Sequence, residues 1–245
     1  MFDPVAYENS VNWNKRLKTE LPYLEAVISR HPKTKILDAG CGVGMHTSAL
    51  SARGHDVTGI DSDPAMIAFA KNSFGNISER FIHCPIGEIS SMLGVKYSVI
   101  YMLGNTLPIS AWHNDEAVFS DLRNSLVPGG SIIFQMLNFS RIKRLGELYL
   151  SLRTGNSEKG VFHHLRSYLY RAGNIEMLSS YVYPEGDGFK RSDGVIRFSD
   201  LSYGRLEKLL DSAGFRMTSI NSGYGGEVFD ENLSDNLVCE CQRQE

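Results

Sequence analysis

The sequence predicts an α/β fold: a Rossmann-like, doubly wound, mostly parallel seven-stranded sheet with an antiparallel β insertion after strand five. Three observations carry this reading. Short apolar runs rich in β-branched residues alternate with helical patterns over the first half of the chain. The first of these runs passes directly into Gly40-Cys41-Gly42-Val43-Gly44, a tight turn between strand and helix that glycine makes at low cost. From Val161 to Phe198 the pattern changes to aromatic and β-branched stretches broken by turn signals at Ala172-Gly173-Asn174 and Glu185-Gly186-Asp187-Gly188. That predicts two or three antiparallel strands.

The elements follow in order. Leu17, Leu21, Leu24, Val27 and Ile28 recur at helical spacing, predicting an amphipathic helix over Asn14–Ser29 in which Pro22 marks a break. Lys35–Ala39 is a short buried strand, and a helix from His46 to Ala52 stops at Gly54. Asp56–Ile60 is the second strand, closed by Asp61, and Pro64 opens a helix running to Asn72. Arg80–His83 and Tyr97–Met102 are strands three and four, and a helix spans Asn114–Leu126. Pro128-Gly129-Gly130 is a turn before strand five, Ser131–Leu137. Leu201–Ala213 returns to helix and stops at Gly214, leaving Phe215–Ser222 and Leu237–Cys241 as the last two strands. The expected organisation is an N-terminal helical segment over 1–30, a core made of 31–140 and 199–245, and the insertion at 141–198.

Composition narrows the function classes. A net charge of -3 disfavours a nucleic-acid footprint, and the densest basic cluster, Arg141, Lys143 and Arg144, fits a solvated helix face as well as a site. No apolar run approaches the ~20 residues of a membrane span, and Met1-Phe2-Asp3-Pro4 opens no signal peptide. Four scattered cysteines make no disulfide framework, so a cytoplasmic setting is expected. Cys239-x-Cys241 lacks a second pair and His83-Cys84 a third ligand, so no metal site is expected. The oligomeric state is not legible.

Two carboxylates give the glycine turn its chemistry. Asp38 precedes it directly, and Asp61 ends the next strand, where a carboxylate accepts hydrogen bonds from a ribose diol. A dinucleotide such as NAD fits the same frame. Asp38, however, would repel a pyrophosphate and would suit an ammonium group. S-adenosyl-L-methionine carries an ammonium, a diol and a sulfonium, and the charges favour it as cofactor.

Ile36–Gly44 resembles the first motif of the class I S-adenosylmethionine-dependent methyltransferases, Val57–Asp61 their second, and Leu126–Gly130 their turn before strand five. Within that superfamily, Leu103–Pro108 and Gln135–Arg141 are similar to segments of the glycine and sarcosine N-methyltransferase-like group. So is the start of the chain from Tyr7 through Val11-Asn12-Trp13 to Arg16. The resemblance implies that Arg16 pairs with the donor carboxylate while Trp13 and Tyr7 close the pocket. It places Gly40, Gly42 and the backbone near Asp38 at the methionine end, with Cys41 and Leu103 completing the donor set. Asp61 would take the ribose, Ser62 and Met66 would flank the adenine, and the Ile86 N–H would meet its ring. Two positions depart from the pattern. Pro85 stands where an acidic residue faces the adenine amine, with Glu88 three residues on, and Tyr-Asp has become Phe139-Ser140 on the acceptor side.

For the acceptor, Asn105, Asn138 and Arg141 sit at strand ends, where open α/β sheets bind ligands. The insertion adds His163, His164, Arg166, Tyr168, Tyr170 and Arg197. A histidine there would act as base, and Arg166 or Arg197 could grip a carboxylate. Strand alternation turns His163 and His164 to opposite faces, so only one enters the cleft, and His163 is assigned as the catalytic one. The expected activity is methyl transfer to a small molecule, with an amine nitrogen preferred. The alternatives are O-methylation of a hydroxylated metabolite and a non-catalytic donor-binding subunit.

Overall fold

Strand β1 (Lys35–Ala39) lies inside a seven-stranded sheet, and its alternate residues serve two different cores. Leu37 and Ala39 face one apolar cluster and Ile36 faces the other; all three are fully buried. In this computed structural model the described residues are 4–32, 35–145, 149–157, 160–171 and 174–245. The chain opens with helices α1 (Pro4–Ser10) and α2 (Trp13–Ile28), then β1 and α3 (Met45–Ser51). Strand β2 (Asp56–Asp61), α4 (Pro64–Ser73), a 3-10 turn at Gly75–Arg80 and β3 (Phe81–His83) complete one wing of the sheet. Helix α5 (Ile89–Leu93), β4 (Tyr97–Met102), α6 (Thr106–Ser110), α7 (Asp115–Ser125) and β5 (Leu126–Leu137) begin the other. Then come α8 (Phe139–Leu145), the strands β6 (Tyr149–Ser157), β7 (Gly160–Arg171), β8 (Asn174–Glu185) and β9 (Gly188–Phe198), α9 (Tyr203–Ser212), β10 (Phe215–Asn221) and β11 (Asn236–Arg243).

The strand order is β10-β11-β5-β4-β1-β2-β3, with β11 antiparallel to both neighbours and β1 to β5 parallel. The chain winds outward from β1 through β2 to β3, then crosses back to β4 and β5. The order therefore reverses between β1 and β4, and the strand C-termini open a crevice at that point. This is the mostly parallel, doubly wound sheet expected from the sequence.

Several local expectations change. Pro22 does not break α2, because it occupies an exposed position and the helix runs through it, capped by Asn12 accepting from the Lys15 N–H at 3.0 Å. Pro128-Gly129-Gly130 is an irregularity inside β5: pairing with β4 starts at Tyr97–Leu126, shifts there, and resumes at Val99–Ser131. The insertion has four antiparallel strands in the order β6-β7-β8-β9. Strand β6 escaped notice because Ser151–Ser157 is polar and contains Gly155. That glycine is required, since a Cβ there would meet the Phe162 ring at 2.5 Å and the Asn9 carbonyl of α1 at 3.2 Å. The turn expected at Ala172-Gly173-Asn174 falls partly on residues 172 and 173, outside the described residues. No described helix is long and apolar enough to cross a membrane.

Candidate active site

The turn after β1 is built around close approach. Gly40 and Gly44 have φ values of +82° and +83°, and a Cβ at either would lie 2.3 Å from the Thr106 methyl or 2.7 Å from the Phe81 ring. Most of the loop's amides are committed within the protein. Gly40 and Cys41 both donate to the Ile60 carbonyl at 2.8 Å, Gly42 donates to Asp61 at 2.9 Å, and Gly44 donates to the Cys41 carbonyl at 3.0 Å. The other Asp61 oxygen accepts from the Asp63 N–H at 2.9 Å. Burial raises the Asp61 pKa, the backbone N–H groups oppose that shift, and the nearby Asp63 charge adds to it. Asp38, 4 % exposed, accepts from Thr47 at 2.7 Å; burial raises its pKa against that bond and the nearby His46. The Cys41 side chain turns back onto β2 beside Gly59, and burial lifts its thiol pKa well above the ordinary value.

The N-terminal helices bring Tyr7, Trp13 and Arg16 to this turn. A Cβ on Gly42 would lie 3.6 Å from the Tyr7 ring, and one on Gly104 would lie 3.4 Å from an Arg16 terminal nitrogen. Trp13 stands edge-on to Tyr7 with centroids 6.0 Å apart, and its indole N–H donates to the Glu8 carbonyl at 3.0 Å. The Arg16 guanidinium lies 5.2 Å from the Trp13 ring centroid. Two residues not singled out from the sequence organise this corner. Glu20 accepts from Arg16 Nε at 2.8 Å, and its second oxygen pairs with His46 Nε2 at 2.6 Å. Burial works against the ionised Glu20, but His46 and Arg16 outweigh it and lower its pKa. Burial likewise opposes the Arg16 charge, while Tyr7 and Glu20 hold its pKa above the usual guanidinium value. Helical spacing from Arg16 to Glu20 was the available signal; the link to His46 spans separate elements and had none.

On the other side of Asp61, Met66 is buried at the start of α4, Ser62 is exposed, and Ile86 packs partly buried against the core. Glu88 is exposed and is the N-cap of α5. The carboxylate that organises this loop is Asp121 of α7, which accepts from the amides of Gly87, Ile89 and Ser90 at 2.8–3.1 Å and from the Ser90 hydroxyl at 2.6 Å.

The four residues expected at the acceptor side each make contacts within the protein. Asn138 is 1 % exposed and its side chain is used in the fold: Nδ2 donates to the Glu231 and Ser234 carbonyls, and Oδ1 accepts from the Arg141 N–H. Arg141 pairs with Asp235 on the same loop. Asn105, with φ of +70°, accepts from the Leu137 N–H at 2.7 Å and so ties the end of β4 to the end of β5. His163 is exposed and meets Thr154 at 3.1 Å. Arg197 is engaged by Glu176 on the insertion sheet, and Phe139 packs against Phe198 in the core. Ser140 accepts from the Tyr203 N–H at 3.0 Å.

The insertion sheet has two unlike faces. Phe162, His164, Tyr168, Met177 and Tyr181 are buried on one; Leu152, Val161, His163, Leu165 and Leu178 are exposed on the other. The inward histidine is thus His164. It stacks on Tyr181 with centroids 3.8 Å apart and hydrogen-bonds the Ser179 hydroxyl at 2.8 Å. Burial first, then the Arg166 and Arg153 charges, lower its pKa to about 4.

Much of the chain is similar to known proteins. Residues 36–130 match the family model described as a methyltransferase domain. The chain is similar to methyltransferases over this span and beyond it. It is 20 % identical over 195 residues to a glycine/sarcosine N-methyltransferase of Aphanothece halophytica, covering 78 % of this chain and 64 % of that protein, short of two thirds of its length. It is 27 % identical over 202 residues to a malonyl-[acyl-carrier protein] O-methyltransferase of Serratia marcescens, covering 80 % of this chain and 75 % of the relative. Among solved structures, an S-adenosylmethionine-dependent methyltransferase from Clostridium acetobutylicum superposes with a TM-score of 0.78 at 15 % identity, over 98 % of this chain and 95 % of that one. The methyltransferase domain covers β1 to the start of β5, so Arg16, Glu20 and the insertion sheet lie outside the matched span.

Proposed function

We propose that this chain transfers the methyl group of S-adenosylmethionine to an amine nitrogen of a small molecule held between the strand ends and the insertion sheet. The observation that carries the donor assignment is the pairing of a charged corner with a loop whose amides are already used. With Gly40, Cys41, Gly42 and Gly44 donating internally, the turn offers little to a pyrophosphate. An amino-acid ligand suits it better: Arg16, anchored through Nε by Glu20, keeps its terminal nitrogens for a carboxylate, and Asp38 supplies negative charge near an ammonium. Asp61 retains lone pairs for two ribose hydroxyls. Tyr7 and Trp13 cover this corner and exclude water from it. Ser62, Met66, Ile86 and Leu103 are proposed to bound the adenosine half.

When bound, the donor supplies a methyl carbon activated by positive sulfur, and the protein's task is to align a nucleophile with it at about 3 Å. Nitrogen is preferred because a neutral amine carries its own lone pair, whereas a hydroxyl needs a base. His164, the imidazole facing the cleft, is held by Ser179 and Tyr181, which favours a positioning role over proton transfer.

The test is label transfer from methyl-labelled S-adenosylmethionine to matched sets of small amines, alcohols and carboxylic acids, with donor binding measured by calorimetry. Label on nitrogen is expected. Label confined to oxygen would overturn the nitrogen assignment, and absence of donor binding would overturn the reading as a whole.

A further inference from the structure

The insertion sheet's inner face carries two positive charges that the fold does not neutralise. Arg153 of β6 lies directly opposite His164 of β7, and Arg166 lies two residues along β7, diagonal to Arg153 on the same face. Neither has a carboxylate partner among the described residues, in contrast to the nearby Arg191 and Arg197, which are paired with Asp193 and Glu176. The Arg166 Nε is buried without any hydrogen-bond partner. Burial, and next the Arg166 charge, push the Arg153 pKa below the usual guanidinium value, and Arg16 adds to the same effect. Both arginines act electrostatically on Tyr181, as does Tyr7 from the donor corner. Two like charges side by side, Arg153 exposed and Arg166 half-buried with an orphaned donor, raise the energy of the empty protein. An anion would relieve both defects at once. The neighbours do not compete: neutral His164 and Tyr181 add no positive charge, and among the described residues no acidic side chain shares their stretch of the inner face.

We infer that Arg153 and Arg166 form an oxyanion subsite that grips the acidic group of the methyl acceptor and points its nucleophile toward the donor corner. The acceptor is therefore a small acid, carboxylated or phosphorylated, with the amine at its other end. This rests on the proposed function, since it takes the cleft beneath the insertion sheet as the acceptor site.

The test uses the full chain saturated with S-adenosylhomocysteine and titrated in chloride-free buffer with sodium phosphate and, separately, with sodium acetate. One anion site per chain is expected by calorimetry, weakened about tenfold or more in Arg153→Met or Arg166→Met and lost in the double variant. Arg197→Met, which removes a charge already paired on the sheet, should bind as the parent does. Tighter binding of phosphate assigns a phosphorylated acceptor, and tighter binding of acetate a carboxylated one. Each single variant should also melt at or above the parent's temperature without anion, because a repulsion has been removed. Anion binding that survives the double variant, or that is absent from the parent, overturns the subsite. Failure of S-adenosylhomocysteine to bind speaks against the methyl-donor reading instead, and the anion titration without it still reports on the two arginines.

Discussion

The proposed donor corner and the insertion sheet are assembled by different rules. At the donor corner, the key positions follow one another along the chain: β1 delivers Asp38, the turn delivers Gly40 and Gly42, and β2 ends on Asp61. Backbone geometry dominates there, so a short run of residue types nearly determines the site. On the insertion sheet no residue's position is fixed by its neighbours in sequence. Register decides which side chains meet, and a slip of one residue would exchange His164 for His163 and Arg166 for Leu165. The first region is legible as a motif, and the second only as a pairing.

The largest expected effect sharpens the first half of that contrast. Asp61→Ala removes a carboxylate proposed to receive two ribose hydroxyls and weakens S-adenosylmethionine binding by about a hundredfold or more, since hydrogen bonds to charged groups contribute about 1.5–3 kcal/mol each. Calorimetry reads this directly. Asp61→Asn, which keeps an acceptor oxygen for the Gly42 or Asp63 amide, should fold as the parent does and bind with intermediate affinity. Unchanged affinity in the alanine variant would separate Asp61 from the donor.

A smaller effect probes the boundary between motif and fold. Asn138 stands where the sequence pattern suggested an acceptor contact, yet both ends of its amide hold the 231–235 segment and the start of α8. Asn138→Ala should cost about 2–3 kcal/mol, lowering the melting temperature by about 5–10 °C, while turnover per folded molecule stays within about twofold. A large loss of turnover in a protein of normal stability would return Asn138 to the acceptor site.

These residues show why the fold was more legible than the site. Strand positions in the parallel sheet follow from apolar periodicity, which burial enforces, and the glycine turn follows from φ values that other residues avoid. Glu20, His46 and Asp121 were missed because their partners lie on other elements: Glu20 reaches α3 from α2, and Asp121 reaches from α7 to the loop before α5. The fold-internal bonds of Asn138 and Arg141 were not legible for the complementary reason. A polar residue at a strand end serves a ligand or a neighbouring loop equally well, and composition does not distinguish them. Only the path of the 222–235 loop, which has little regular structure, decides it.

The histidine pair gives the finest discrimination. His163→Ala removes an exposed side chain on the outer face and should leave turnover and stability within error of the parent. His164 titrates near 4 when folded and near 6.5 when unfolded, so the unfolded chain binds more protons between those values. Its contribution to stability is complete above pH 6.5 and is lost progressively as the pH falls toward 4. Differential melts of the parent and His164→Phe should therefore diverge in slope across that window, the parent losing about 2–4 °C more than the variant. Phenylalanine keeps the stack on Tyr181 while removing the titrating ring. A parent whose melting temperature tracks the variant's through pH 4–6.5 would mean that His164 is solvated and charged, and that the inner face is more open than the strand register implies. A slope that vanishes in His163→Ala and persists in His164→Phe would mean that the register itself is off by one.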